Sequence, residues 1–220
     1  MKKDSITYVL GFMLVITVFF GTGVSLVHHG TKDMLARNEQ LHRNRTIAQA
    51  FNLDVPGRDA EAFAQAVQEH VREFSLRTPD RTWAVFERVT EHDDESRDIG
   101  FIFQGRGVWD IIRGVIVLNP DLNTVLNLRI MEQAETPGLG GRIEEEGFLA
   151  QFQGLRIDWE RQPDRRVILA TGMDPDAEGR VDAITGATGT SRALIEMLNN
   201  ELHEFRLAYQ ANIQTTNSEM

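Results

Sequence analysis

The sequence predicts an α+β fold, with one N-terminal transmembrane helix followed by a single domain that has a twisted, mainly antiparallel sheet and flanking helices. Three observations predict it. The run from Ile6 to Val27 contains 22 residues and no charge. Several short segments rich in β-branched and aromatic residues follow, separated by glycine, proline and asparagine. Regions with an apolar residue at every third or fourth position, typical of helices, lie before and after those segments.

Composition excludes several classes of function. The chain has 220 residues, of which 41% are hydrophobic and 25% charged, as is ordinary for a folded protein. It has no cysteine, which excludes disulfides, iron–sulfur clusters, thiolate zinc sites and cysteine nucleophiles. The net charge of −10 argues against a nucleic-acid partner, which would require a basic face. The six histidines lack the spacing of metal ligands, so we predict no metal site.

Residues 1–30 are predicted to be a membrane anchor that contacts lipid. A helix over Ile6–Val27 spans roughly 33 Å, enough to cross the hydrocarbon core of a bilayer. A cleaved signal peptide is the alternative, but its apolar region is normally about 7–15 residues long and ends in a small-residue site such as Ala-x-Ala. Length and the lack of that site favour a retained anchor. Lysines and arginines lie on both sides of the run, so charge alone leaves the orientation open.

Residues 31–80 are predicted to form a helical stalk and the helical start of the soluble part. The stalk helix is predicted to run from Thr31 to about Leu53, and we expect Pro56 and Gly57 to end it. A second amphipathic helix is predicted over Asp59–Phe74, because its apolar residues share one stripe.

Residues 81–209 are predicted to form the folded domain, and residues 210–220 a frayed polar tail. A charged loop is expected over Glu91–Asp98. The predicted strands are Thr82–Val89, Gly100–Gln104, Ile111–Leu118, Thr124–Met131 and Val167–Ala170, and the predicted helices are Phe148–Gln153 and Ser191–Leu207.

The segment from Asp182 to Ser191 is the first candidate site. Its small residues and four hydroxyls lead directly into the last predicted helix. The free amides and positive dipole end of a helix N-terminus favour an anion such as phosphate. The alternative is an ordinary helix cap, in which Thr190 or Ser191 satisfies the first amides.

The segment from Glu135 to Gly141 is the second candidate site. Pro137 makes its start rigid, and three glycines make the rest permissive. Such a loop can lay backbone amides against a flat ligand. The alternative is a surface turn after the Thr124–Met131 strand.

Together these segments resemble a known family. DAITGAT, from Asp182 to Thr188, fits the flavinylation motif Asp-x-x-(Ser/Thr)-Gly-Ala-Thr, and ETPGLGG resembles the companion loop of the same domain. The stretch from Gly105 to Trp109 also resembles this FMN-binding domain family, known from the C-type subunit of the sodium-translocating NADH:quinone reductase (Nqr) and the G-type subunit of Rnf electron-transport complexes. Gln133 stands where the family often has histidine, and Gly189 where a bulky aliphatic residue is usual.

The resemblance implies FMN attached covalently to Thr188 by a flavinyl transferase that uses FAD and magnesium. It implies no catalytic residue in this chain. Trp109 would stack on the ring or else belong to the core, and Glu135 would oppose negative charge on the flavin or else be solvated. The other expected cofactor-binding residues come from the same two segments: Asp182, Thr185, Gly186, Ala187, Thr190, Ser191, Thr136, Pro137, Gly138, Leu139 and Gly140.

The function implied is electron relay by a protein that is not catalytic alone. It would act in an NADH:quinone, or ferredoxin:NAD, oxidoreductase complex with other membrane subunits. Its domain would face the periplasmic side of the inner membrane. The Nqr C-type subunit is the leading interpretation. The alternatives are the Rnf G-type subunit, a stand-alone extracytoplasmic electron carrier, and an assembly or regulatory protein without redox turnover.

Overall fold

The computed structural model describes residues 6–79, 81–89, 97–170 and 179–218. The chain divides into two compact units, Met1–Leu41 and His42–Met220. Helix α1 (Ile6–Ala50) provides the described part of the first unit. Among the described residues it is the one helix long and apolar enough to cross a membrane, judged by length and composition. The large apolar residues of its Ile6–Val27 portion are exposed rather than buried, unlike those of a core helix in a soluble protein.

Helix α1 ends earlier than the sequence predicts. The amide of Leu53 donates to Ala48 O (2.8 Å) and the amide of Asn52 to Gln49 O (3.2 Å), the pairing of a Schellman motif. Asn52 takes the left-handed conformation that this motif requires, with φ of 50°. The helix therefore stops before Pro56, because Asn52 provides the C-terminal turn.

The second unit is built on a six-stranded antiparallel sheet whose strands follow chain order, which confirms the predicted mainly antiparallel fold. A separate pair of short parallel strands lies later in the chain. The strands are β1 (Val71–Arg77), β2 (Thr82–Arg88), β3 (Ile99–Arg106), β4 (Ile111–Leu118), β5 (Thr124–Glu132), β6 (Leu155–Arg156), β7 (Ile168–Ala170) and β8 (Arg180–Asp182).

The helices of this unit differ from prediction at their ends. They are α2 (Ala60–His70), α3 (Glu146–Leu149) and α4 (Thr188–Ser218), with 3₁₀ turns at Gly140–Glu144, Ala150–Phe152 and Pro163–Arg165. Helix α4 begins three residues before Ser191 and continues through the predicted tail to Ser218. The predicted Phe148–Gln153 helix is α3 and the 3₁₀ turn that follows it. Most of the predicted charged loop, namely residues 91–96, lies outside the described residues.

The prediction that α2 reaches Phe74 was wrong. Asp59 caps α2 by accepting from the amide of Ala62 (2.8 Å), but the helix ends at His70. Val71 onward forms β1, which pairs with β2 so that Phe74 lies opposite Val85. An apolar residue at position 74 suits either a helical stripe or an alternating strand, and pairing with β2 decides between them.

Strand β4 shows how the two faces of the sheet are covered. Ile112 and Ile116 pack in the cluster that contains α4, whereas Val115 and Val117 pack with Phe51 at the end of α1. Successive side chains of a strand point to opposite faces, so a strand covered on both sides is apolar throughout. The sheet is thereby held between helices, and its β3–β4 turn, the end of β5 and the start of α4 form one region.

Candidate functional site

The site is built from three segments that are far apart in the sequence. They are the β3–β4 turn, the loop after β5 and the start of α4, and the carboxylate of Glu135 joins them. Its Oε1 accepts from the amides of Val108 (2.8 Å) and Trp109 (3.1 Å). Its Oε2 accepts from the hydroxyl of Thr190 (2.7 Å). Glu135 is only 4% exposed, so the interpretation that it is solvated was wrong.

Two glycines allow this close approach. A Cβ on Gly140 would lie 2.5 Å from Thr190 Oγ1 and 2.9 Å from Glu135 Oε2. A Cβ on Gly107 would collide with Glu135 Oε1. Real side chains do not tolerate such distances, so glycine is required where the segments cross. The glycines at positions 107 and 140 therefore allow the three segments to pack closely around Glu135.

The turn between β8 and α4 is held by Ser191. Its hydroxyl donates to Ala187 O (3.1 Å) and accepts from the amide of Ile184 (3.1 Å). The amide of Ser191 makes the first helical bond, to Ala187 O (3.0 Å). The amides of the three residues before it, which include Thr188, therefore precede the helical ladder and are available to an anion. Gly186 bends the turn with φ of 83°, a conformation that favours glycine.

The four hydroxyls of this turn divide into two pairs. Thr190 and Ser191 are buried and hydrogen-bonded to Glu135 and Ala187 respectively. Thr185 and Thr188 are exposed. Within the described part of the chain, neither exposed hydroxyl has a hydrogen-bond partner. The geometry thus leaves two candidates for modification. The alternative that Thr190 or Ser191 caps the helix was wrong, because both lie inside α4 and their hydroxyls bond Glu135, Ala187 and the amide of Ile184 instead.

Asp182 lies on the exposed side of the same turn. Its carboxylate is 3.5 Å from the guanidinium of Arg180. Its backbone amide donates to Gln151 Oε1 (2.7 Å), a residue that sequence reasoning did not single out and for which no local signal existed. A cavity of about 240 Å³ lies beside these residues and reaches Thr185 and Arg142.

The loop after β5 presents its tip to solvent. Thr136, Pro137, Gly138 and Leu139 are exposed, and Gly138 has φ of 75°. The amide of Leu139 donates to Thr136 O (3.1 Å) inside the loop. In this structure the amide of Leu139 is therefore occupied within the loop itself.

Apolar side chains lie close to Gly186 and Gly189, the glycines that come before and after Thr188 in the acceptor turn. Val108 Cγ2 would lie 3.5 Å from a Cβ on Gly189, and Leu139 Cδ2 would lie 3.3 Å from a Cβ on Gly186. Val108 and Leu139 are half exposed, and Trp109 is 70% exposed. The alternative that Trp109 belongs to the core was wrong. Sequence reasoning missed Val108 as an individual residue, although the glycine pattern around it was noticed.

The arrangement fits a cofactor that carries both a phosphate and a flat apolar ring. The exposed Thr188 hydroxyl stands at the start of a helix with available amides, which suits a phosphate. The exposed apolar surfaces beside it suit an aromatic ring system. Within the described ranges, no group of three or more His, Asp or Glu side chains is arranged to hold a metal.

Comparisons with known proteins agree with this geometry. Residues 107–203 match the family described as FMN-binding domain. The C-type subunit of the Na⁺-translocating NADH-quinone reductase of Vibrio vulnificus is 25% identical over 227 aligned residues, covering 88% of this chain and 89% of the relative. The C-type subunit of Pasteurella multocida is 37% identical over 92 residues, covering 42% of this chain and 35% of the relative.

Solved structures support the same fold. The crystal structure of Shewanella oneidensis NqrC has a TM-score of 0.59 at 19% identity, covering 76% of this chain and 99% of that one. The corresponding structure from Parabacteroides distasonis has a TM-score of 0.66 at 23% identity, covering 78% and 92%. The resemblance inferred from the two motifs is confirmed.

Proposed function

Because residues 107–203 match the FMN-binding domain family and the chain is homologous to the C-type subunit of the Na⁺-translocating NADH-quinone reductase, we propose that it relays electrons through FMN bound covalently to Thr188. The observation that carries this proposal is the position of the Thr188 hydroxyl. It is exposed at the first residue of α4, belongs to the DAITGAT segment, and lies between Gly186 and Gly189, which approach the apolar side chains of Leu139 and Val108.

The start of α4 favours a phosphoester on Thr188. A phosphate there lies beside amides that precede the first helical bond from Ser191 to Ala187 O. The positive end of the helix dipole stabilises negative charge by about 0.3–2 kcal/mol. Thr190 and Ser191 are buried and already bonded, and Thr185 lies outside the helix. Thr188 is thus the hydroxyl with both access and a favourable field.

The exposed apolar residues beside Thr188 would hold the ring. Val108 and Leu139 border the acceptor turn, and Trp109 offers an exposed aromatic face. When bound, FMN supplies the capacity to accept and donate electrons, and the protein sets its position and electrostatic surroundings. The chain itself would orient the flavin and provide an apolar surface for its ring.

Attachment requires a partner enzyme, which we propose is a flavinyl transferase that uses FAD and magnesium. The oxygen of Thr188 attacks the FMN phosphorus of FAD, its hydroxyl proton is removed, and the bond to AMP breaks. A threonine hydroxyl is a weak nucleophile, so the base and the metal must come mainly from the transferase. The exposed carboxylate of Asp182 lies on the same turn and is available for recognition.

The N-terminal helix would tether the domain to the inner membrane. Its Ile6–Val27 portion is apolar and exposed, and lipid would cover it. Homology to the Nqr C-type subunit suggests other subunits of an oxidoreductase complex as partners. We further propose that the domain lies on the periplasmic side, as the family resemblance implies. A C-terminal reporter active only in the cytoplasm would contradict that orientation.

The test is co-expression of the full chain with a flavinyl transferase, followed by mass spectrometry. We expect wild type to gain the mass of FMN minus water and to absorb visible light, and Thr188→Val to do neither. Thr185→Val removes the other exposed hydroxyl of the turn and is the matched control, which we expect to be labelled fully. Flavin located on any other residue, or no flavin on wild type, would contradict the proposal.

A further inference from the structure

We propose that Glu135 is a positioning residue with two effects. It fixes the Trp109 turn against the start of α4, and its unneutralised charge lowers the midpoint potential of the flavin. The first effect is a property of the folded chain. The second rests on the proposed function, because it concerns bound FMN.

The hydrogen bonds of Glu135 carry the first effect. One oxygen accepts two consecutive amides, those of Val108 and Trp109, and the other accepts the Thr190 hydroxyl. Val108 and Trp109 are themselves at least half exposed, so little burial of their side chains holds the turn in place. Without the carboxylate, those amides would face a space that is nearly closed to solvent, because the Glu135 side chain that fills it is only 4% exposed. The turn would then have to move to satisfy them.

The surroundings of Glu135 carry the second effect. In the described part of the chain, no lysine, arginine or histidine lies within ion-pair distance of its carboxylate. Its partner Thr190 is two residues from Thr188 on the first turn of α4. A buried, uncompensated negative charge acts through a medium of low dielectric constant. Such a charge opposes the negative charge that reduction adds to a flavin, and so it lowers the midpoint potential.

Glutamine at position 135 separates the two effects. Its amide oxygen can still accept from Val108 and Trp109, and its NH₂ group can donate to the Thr190 oxygen. Glu135→Gln therefore keeps the hydrogen bonds that hold the turn in place and removes only the charge. Glu135→Ala removes the hydrogen bonds as well as the charge. Glu132→Gln is the matched control. It makes the same chemical change three residues before Glu135, at a side chain that is mostly exposed and paired with Arg113.

The first experiment measures amide exchange in the full chain in detergent, produced without transferase and labelled with ¹⁵N at tryptophan and valine. We expect the Trp109 and Val108 amides to exchange on the order of tenfold faster in Glu135→Ala than in wild type, since each loses its acceptor. Glu135→Gln and Glu132→Gln should stay near wild type. If Glu135→Ala does not fold, Glu135→Asp, whose carboxylate is one methylene shorter, replaces it. Unchanged exchange in the variant used would overturn the positioning role.

The second experiment is a redox titration of the flavin-loaded full chain. We expect the midpoint potential to rise in Glu135→Gln and to stay at the wild-type value in Glu132→Gln. Equal potentials in all three proteins would overturn the electrostatic role. A wild-type chain that never gains flavin would contradict the proposed function and with it the electrostatic role, while the exchange measurement would still decide the positioning role.

Discussion

Two buried glutamates meet at helix α4, Glu135 from the loop after β5 and Glu201 from within the helix itself, and their charges have different surroundings. Glu201 Oε1 accepts from the guanidinium of Arg81 (2.6 Å), which also lies 3.8 Å above the ring of Trp83. Glu201 Oε2 is buried without a hydrogen-bond partner. Glu135 has the reverse arrangement, because both of its oxygens are hydrogen-bonded and no cation pairs with it in the described residues.

The comparison distinguishes the charge of Glu201, which serves the structure, from the charge of Glu135, which we propose acts on the flavin. The Arg81–Glu201 pair fixes the edge of the sheet to α4, and its charges cancel. At Glu135 the protein satisfies the hydrogen bonds but leaves the charge, so the field persists beside the proposed flavin. Variants in the two regions should therefore change different properties, stability in one and cofactor behaviour in the other.

The largest effect is expected where the three segments of the site cross. Gly140→Ala places a Cβ against Thr190 Oγ1 and Glu135, so we expect it to lower the free energy of unfolding by about 1–3 kcal/mol. It should also reduce flavin loading. Gly147→Ala is the control, because a Cβ there has nothing within 4 Å and alanine favours the short α3 helix. Thermal unfolding and loading yield are the measurements, and equal behaviour of the two variants would refute the tight crossing.

A smaller effect on stability is expected at the structural pair. Arg81→Leu leaves Glu201 buried without its cation, so we expect a loss of roughly 1–3 kcal/mol at neutral pH. The midpoint potential of the flavin should not change. Arg43→Leu, at an exposed ion pair with Glu73, is the control and should cost about 0–1 kcal/mol.

The stability of Arg81→Leu is also expected to depend on pH. Burial raises the pKa of the Glu201 carboxyl, and the hydrogen bond and charge of Arg81 oppose that rise. Without Arg81 the pKa rises further, so the folded state of the variant holds the proton to higher pH than the unfolded state does. Stability is then lost as pH rises through the window between the unfolded and folded pKa. Denaturant unfolding at acidic and neutral pH measures this, and a deficit that is larger at acidic pH would contradict it.

The smallest effect on stability is expected at Trp109. Because this side chain is mostly exposed, Trp109→Ala should change the free energy of unfolding by no more than about 0.5 kcal/mol. It should still alter the absorbance or fluorescence of the bound flavin, because a ring-stacking surface is lost. Ile111→Ala, an exposed apolar change on the same hairpin, is the control and should leave the spectrum unaltered. Identical spectra for both variants would remove Trp109 from the cofactor site.

Local pattern predicted most elements because most of them depend on neighbours in the sequence. Strands β2 and β4 match their predicted bounds within one residue, since alternation and flanking turn residues are local signals. Strand β1 was missed because its apolar residues also continue the stripe of α2, and only pairing with β2 distinguishes the two. The two-residue strand β6 is too short to carry any pattern.

The order of residues alone predicts the apolar N-terminal helix, the resemblance to the FMN-binding domain family and the motif register by which we propose Thr188 rather than the other hydroxyls. These depend on the order of residues within short segments. The burial of Glu135 and its hydrogen-bond partners, which lie 27 and 55 residues away along the chain, are set by tertiary packing. Tertiary packing also decided that Trp109 is exposed and that Gly107 and Gly140 mark the points where segments cross. The physical reason is that sheet register and the packing of α4 bring these segments together, and no local pattern records which distant groups a buried carboxylate will meet.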